Sequence, residues 1–455
     1  MSSIALATWA ADSPRQHDPA ASAAAMAGIR DVLGCILAGS REEEPQQVAR
    51  AVRGWGSGDC RLLGTDRRAP APWAALVNGT AAHVLDFDDT FDPLSGHAAA
   101  VLVPAILATA QESGASGADV IDAFIIGLEV LARIGEVVNP RHYALGWHAT
   151  STIGVIGAAA ACGRLLRLDA AQMAAAMSLG VSQAGGSRMQ LGAPAKSLHA
   201  GLAAKGGVLA AGLAATGMSG VADSLGGRWR FAELFTGETA PEDAFIAPAP
   251  GDPPAVLLPG LNFKPYPTCA ATHLTLDMVL ALRDAHGLIG EDIAQVDTHL
   301  PAVLARNLMH PNPQTGMQAR FSMPYPVAVA LMEGAVRTAD FEPEAIFRSD
   351  IRRLMPRVQM HEIPNSLGAP VAPPTEVTIT LHDGRRFTDA RSVKHGSQKL
   401  PMSEAEQQQK FRDCAGRVLP PDSVARALAE LDRLATAPQL LPLLTALSPL
   451  TQPDA

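Results

Sequence analysis

From about Ala20 to Gly217 the chain repeats one pattern: apolar runs rich in Ala and Gly, spaced at the helical period and punctuated by turn residues. No convincing period-2 strand interrupts the first 240 residues, so this part must fold as helices packed on helices. Hydrophobic residues make up 47% of the 455 and aromatics only 4%. That balance suits close helix packing through small side chains and not an aromatic-rich sandwich. The spacing predicts helices over Ala20–Ala38 and Glu42–Trp55, then one introduced by Pro70 and Pro72. Further helices are expected over Ala98–Ser113, Ala118–Val138, His148–Leu166, Asp169–Val181 and Lys196 to about Gly217.

The composition then shifts. Ala240–Pro259 holds six prolines and reads as a linker. Beyond it, Thr268–His286 and Arg320–Gly334 have helical spacing. Ala294–Leu300, Val358–Ile363 and Glu376–Leu381 read as strands, and His382-Asp383-Gly384 is a hairpin turn into Arg386–Val393. From Ser403 the pattern is helical again. The expected fold class is mainly α: an all-helical domain (1–262), a smaller α+β lid domain (263–397), and C-terminal helices (398–455) returning to the helical domain.

Several classes of function are excluded. With a net charge of −9 and no basic run, nucleic acid is not an expected partner. The five cysteines are widely spaced, without C-x-x-C, which fits a reducing compartment and neither a disulfide framework nor a zinc site. Met1–Gln16 has no basic segment leading into an apolar one, so a cytoplasmic protein is expected. The most apolar windows, Thr152–Leu166 and Ala200–Ala222, carry Arg164 and Lys205; they are expected as buried helices, with no membrane partner. G-x-S-x-G, P-loop, dinucleotide-binding and H-E-x-x-H motifs are missing.

The chemistry concentrates elsewhere. Asp86, Asp88, Asp89 and Asp92 fall within seven residues, directly after an apolar helix, and Gly96-His97 follows. Clustered carboxylates repel unless cations, protons or hydrogen bonds relieve them. One reading is capping and turn formation, expected for Asp92 and at least one of Asp88 and Asp89. A second is a magnesium–diphosphate site, since Asp88-Asp89-Thr90-Phe91-Asp92 matches D-D-x-x-D. The scarcity of aromatics for lining a carbocation cavity counts against it. The third makes Asp86 an acid–base or orienting group beside basic residues. Four predicted helix starts carry such residues: His97, His148, Lys196 with His199, and Lys264 ahead of Thr268. A cation at a helix N-terminus is locally unfavourable and makes sense where an anion sits between it and the free N–H groups. Converging, these residues would bind a small polycarboxylate. Cys269, near a helix start, is expected to be a passive core thiol.

The same residues carry a family resemblance. Val77-Asn78-Gly79-Thr80-Ala81-Ala82-His83 through Asp86-Phe87-Asp88-Asp89-Thr90 and Gly96-His97 resemble the MmgE/PrpD signature. So do Gly146–Ser151, Ala195–Gly201, Lys264-Pro265-Tyr266-Pro267 with His273, Ala319–Tyr325, and Pro401–Glu404 with Lys410-Phe411. The resemblance implies a helical domain with an α+β lid, a homodimer, a cleft active site, and neither cofactor nor metal. Carried over by position, Asp86, His97 and His148 are catalytic candidates. Thr90, Lys196 and Lys264 are substrate-binding candidates, with His199, His273 and Tyr325 behind them. The chain departs from the pattern at Ala98-Ala99-Ala100, Gln318 and Arg320. The family's activities offer three outcomes of α-proton chemistry on a di- or tricarboxylate. A 2-methylcitrate dehydratase-like elimination is favoured; an iminodisuccinate-type epimerase and a cis-aconitate-type decarboxylase are the alternatives.

Overall fold

A computed structural model describes residues 2–241, 243–364 and 373–449. The first half is helical throughout: α1 (Ser2–Asp12), α2 (Pro19–Gly39), α3 (Glu43–Val52), α4 (Ala71–His83), α5 (Ala99–Ser113) and α6 (Gly117–Val138). Then come the short α7 (Arg141–Ala144) and α8 (Ala149–Thr152), followed by α9 (Gly154–Leu165), α10 (Ala170–Val181), α11 (Ala195–Ala215) and α12 (Phe231–Thr236). A two-stranded ribbon, β1 (Cys60–Arg61) with β2 (Arg68–Ala69), is its only sheet among the described residues. Capping residues set several boundaries. Ser116 with Asp119 and Asp169 with Gln172 form reciprocal capping boxes at the starts of α6 and α10.

The helix expected over His148–Leu166 is interrupted at Ile153. Three helices of this half, α1, α7 and α12, were not legible in the sequence. Proline explains another difference. The single helix expected over Arg320–Gly334 splits into Gly316–Arg320 and Pro324–Glu333, because Pro324 has no N–H to continue a preceding turn.

The α+β segment pairs α13 (His273–His286) with a mixed sheet. Its strands are β3 (Ile293–Pro301), β4 (Val358–Ile363), β5 (Thr375–Leu381) and β6 (Arg386–Arg391), in the order β4-β3-β5-β6. Only β3–β4 is parallel; β3–β5 and β5–β6 are antiparallel. Two large apolar cores follow this division. One is built from helical-half residues together with Phe411, Leu431 and Leu447 of the C-terminal helices. The other gathers mostly residues 269–381, with Cys35, Val84, Leu85, Phe87 and Cys414 reaching in from the helical part. Pro19–Gly39 and Ala195–Ala215 are long and apolar enough to cross a bilayer, and each buries more than half of its apolar window inside the protein.

The crossing of α4 and α11 is what positions the site. It closes at Gly79 and Gly201: a Cβ on Gly201 would lie 2.2 Å from the Leu76 carbonyl oxygen, and one on Gly79 2.8 Å from Gly201 Cα. Backbones this close need glycine at the contact. The crossing brings the start of α11, with Lys196, beside the chain leaving α4, with Asp86. Gly201→Ala is therefore expected to destabilise the fold by about 1–3 kcal/mol through overpacking and to lower activity as well. Thermal melting beside a turnover assay checks both.

Candidate active site

The chain leaves α4 through a tight, buried turn. Asp86 sits at φ +50°, a left-handed conformation in which Asp is enriched among non-glycine residues, and its N–H bonds the His83 carbonyl. Its side chain is fully enclosed and meets two ammonium groups. Lys196 Nζ lies 2.5 Å from Oδ1 and Lys264 Nζ 3.3 Å from Oδ2, with Lys264 also donating to the Asp86 carbonyl at 2.8 Å. Burial alone would raise this carboxyl's pKa, but Lys196, Lys264 and His97 outweigh it and hold Asp86 well below the ordinary value. The lysine at the start of α11 is thus compensated from outside its helix.

The other aspartates of the stretch turn to separate partners. Asp88 Oδ2 lies 2.8 Å from His83 Nδ1 and 3.1 Å from His97 Nδ1. A carboxylate only accepts, so the His83 Nδ1 carries the proton of that bond. Asp89 accepts from the Ala98 and Ala99 N–H groups at the start of α5, the capping role expected of one of this pair. Asp92 accepts from the Asn262 amide at 2.9 Å. The D-D-x-x-D string therefore does not converge as a magnesium site. His83, Asp86, Asp88 and His97 do bring ligand-type atoms within 4.8 Å of one another. A cation there would sit against the two ammonium groups already on Asp86.

Asp86 is the carboxylate expected from the sequence to orient a histidine. In the structure, the Asp86 carboxylate is 3.8 Å from His97 Nε2 and the Asp88 carboxylate 3.1 Å from Nδ1, so Asp88 is the nearer of the two. Asp88, of the pair of which at least one was expected to cap, faces His83 and His97 instead. Burial lowers the pKa of His97 despite Asp88, pushes His83 down to about 3, and with His83 and Lys196 takes His148 well below its usual range. All three are neutral imidazoles near pH 7.

Asp86, Thr90, His97, His148, Lys196 and Lys264 line one cleft of about 920 Å³. The Thr90 hydroxyl is buried without a partner, as a group kept for a ligand would be. His199 stands behind His148, the two Nδ1 atoms 3.0 Å apart. His273 is buried with Nε2 against the Thr268 carbonyl, and Tyr325 is buried with its hydroxyl donating to the Asp340 carbonyl. Neither lines the cleft. From the Ala319–Tyr325 stretch it is Phe321 that does, its ring centroid 5.2 Å from Lys196 Nζ. Arg188, Asn307 and Lys394 also stand on the wall, and nothing in their local sequence marks them. Cys269 belongs to the second apolar core, as expected, and also lines the cleft. The charged lining residues are five fixed cations (Arg188, Lys196, Lys264, Lys394, Lys399) against Asp86 and Asp92. The cleft thus carries a surplus of three positive charges in a chain of net −9.

This fold and site belong to a known class. The chain is a member of the MmgE/PrpD family: the MmgE/PrpD N-terminal domain matches residues 4–244 and the C-terminal domain residues 266–435. Among curated proteins, human cis-aconitate decarboxylase is 30% identical over 385 residues, covering 81% of this chain and 76% of the relative. The mouse protein of that name is 29% identical over 428 residues, covering 89% and 85%. A cis-aconitate decarboxylase of Aspergillus terreus is 26% identical over 462 residues, covering 91% and 90%.

Asp89 yields a prediction about stability. Burial first, then Asp88 and Asp31, raise its pKa from 3.8 to about 8. Between those values the folded state binds a proton that the unfolded state has released, so the contribution of Asp89 to stability falls as pH rises through this window, while the buried histidines, lowered from 6.5, act in the opposite sense. Asp86 and Asp88, held below 3.8, act only under it. Asp89→Asn, whose single amide oxygen keeps one of the two backbone N–H bonds, should lose this contribution, so that its stability relative to the wild type rises between pH 4 and 8. Denaturant melts across this range check it.

Proposed function

We propose that the chain is a lyase acting on a small tricarboxylate, with decarboxylation of a cis-aconitate-like substrate as its reaction. The observation that carries this reading is the three-charge surplus of the cleft, arranged around two neutral histidines. A trianion would neutralise that surplus. The curated relatives, named for cis-aconitate decarboxylase and matched over most of their length, support the choice of reaction.

The chemistry follows from the charges. In a β,γ-unsaturated carboxylate, the C–C bond to the leaving carboxylate breaks and its electron pair forms a new C=C bond. The old π pair then takes a proton at the carbon next to another carboxylate. Negative charge develops on that second carboxylate, and fixed ammonium groups lower the barrier because they need no reorganisation. Lys196 and Lys264, held in place by Asp86, fit this role. His97 fits that of proton donor, its imidazolium stabilised by Asp88; the Thr90 hydroxyl is free to orient a carboxylate.

Elimination of water, the dehydratase outcome, is the second reading. The lowered pKa of His97 favours it, because an unprotonated imidazole can remove an α-proton and generate the same carboxylate-stabilised charge. Return of that proton on the other face would be epimerisation. The homodimer implied by the resemblance belongs to the same proposal. Leu202 and Leu209, seven residues apart on α11 and 38% and 42% exposed, support it as an apolar face.

Incubation with cis-aconitate, 2-methylcitrate and citrate in deuterium oxide, followed by NMR, tests the reading. Carbon dioxide release with one deuterium at the former vinyl carbon is expected. Alkene formation from a hydroxy acid alone would assign the dehydratase, and no reaction with any of the three would end the proposal. Lys196→Ala and His97→Ala should each cost at least ~10²-fold in turnover in protein that still melts cooperatively. The pH profile separates the outcomes. His97 titrates below 6.5, so a decarboxylase that needs its proton gains rate as pH falls through that pKa, whereas a dehydratase that needs its lone pair loses rate.

A further inference from the structure

Lysine is rare in this chain: six residues against thirty arginines. Four of the six, Lys196, Lys264, Lys394 and Lys399, line the one cleft. Lys196 and Lys264 are engaged by Asp86. Lys394 differs. Among the described residues its ammonium has no carboxylate in ion-pair reach and no hydrogen-bond acceptor. Asp92, which lines the same cleft, is turned to the Asn262 amide. Asp277 is occupied by the Tyr266 hydroxyl and the His395 N–H. Half-buried on the cleft wall, this ammonium is open to an anion entering the cleft.

The backbone fixes where this ammonium stands. Phe263 N–H donates to the Gly396 carbonyl and Gly396 N–H to that of Leu400, both at 2.8 Å. The Gln398 side chain bonds the Leu261 carbonyl at 2.6 Å. Gly396 adopts φ +85°, and a Cβ there would lie 1.9 Å from the Phe263 carbonyl oxygen, so the loop cannot back away from the 261–264 segment. That segment delivers Lys264. The two lysines therefore keep a fixed relation, with their mutual repulsion built in.

We propose that Lys394 anchors the substrate carboxylate farthest from Asp86, and that it is the residue by which the cleft selects tricarboxylates over dicarboxylates. This rests on the polycarboxylate reading of the site. Burial, and then Lys264, depress the Lys394 pKa below 10.5, with Asp92 acting in the opposite sense; a bound carboxylate would relieve both effects. The division of labour is chemical. Lys196 and Lys264 stand where charge develops, while Lys394 makes a contact that is the same in substrate and transition state. Such uniform binding lowers KM without raising kcat.

The test measures binding of two unreactive probes, propane-1,2,3-tricarboxylate and glutarate, by calorimetry. In Lys394→Met the tricarboxylate should bind ~10–100-fold more weakly, the effect of one lost charge-assisted contact, while glutarate changes less than ~3-fold. Lys394→Arg, which keeps the charge, should recover most of the loss. Lys205→Met, whose ammonium faces Trp73, should change neither. Where substrate is turned over, KM should rise and kcat should hold. Equal losses for both probes, or unchanged tricarboxylate binding in Lys394→Met, would overturn the proposal, as would failure of the wild type to bind the tricarboxylate. Should Lys394→Met fail to melt cooperatively, Lys394→Gln replaces it with the same expectations. Selective, Lys394-dependent binding without turnover of any tricarboxylate would sustain this inference and reject the proposed reaction.

Discussion

The structure depends on the burial of one carboxylate. Asp86 is enclosed and held by Lys196 from α11 and Lys264 from the segment entering the α+β part. Separating such a buried pair by deleting one partner costs about 3–5 kcal/mol, because it strands the other charge. The interaction therefore ties together three pieces of chain that are far apart in sequence. Lys410 extends the same logic, donating to the Phe87 carbonyl and pairing with Asp31 at 2.7 Å. Consecutive carbonyls of the loop after α4, at Asp86 and Phe87, are each capped by a buried ammonium. The loop is thus fixed from the helical half, from the α+β segment and from the C-terminal helices.

Around this pin the remaining acid–base groups are sorted by burial. Asp88 remains ionised because His83 and His97 face it. Asp89 is driven toward protonation because its neighbours include Asp88 and Asp31. The imidazoles are neutral because desolvation outweighs their carboxylate contacts. Four aspartates within seven residues thus take four different jobs: lysine clamp, histidine orienter, helix cap and amide acceptor. The excess positive charge left in the cleft then selects for anions.

Much of this was legible. Asp86, His97, His148, Lys196 and Lys264 could be singled out because each stands at an abrupt change of pattern, where an apolar helix begins or ends on a charged residue, and Thr90 was reached only through the family resemblance. His273 and Tyr325 showed how such position-based reading fails. Both are buried on local backbone carbonyls, and a neighbouring residue, Phe321 in the second case, faces the cleft. Lys394, Arg188 and Asn307 stand in irregular segments that carry no periodic signal, so only the fold brings them to the wall.

The sequence by itself determined the helical first half and the mixture of helices and strands that follows it, because hydrophobic period and proline placement are local properties. It also determined that a cluster of acids had to be answered by bases. Which base answers which acid was decided by the tertiary structure alone. The close crossing at Gly79 and Gly201 sets where Lys196 reaches, and the left-handed turn at Asp86 aims its carboxylate at the lysines, leaving Asp88 to the histidines. Charge pairing acts over a few ångströms between residues more than a hundred positions apart, and the sequence does not carry that distance.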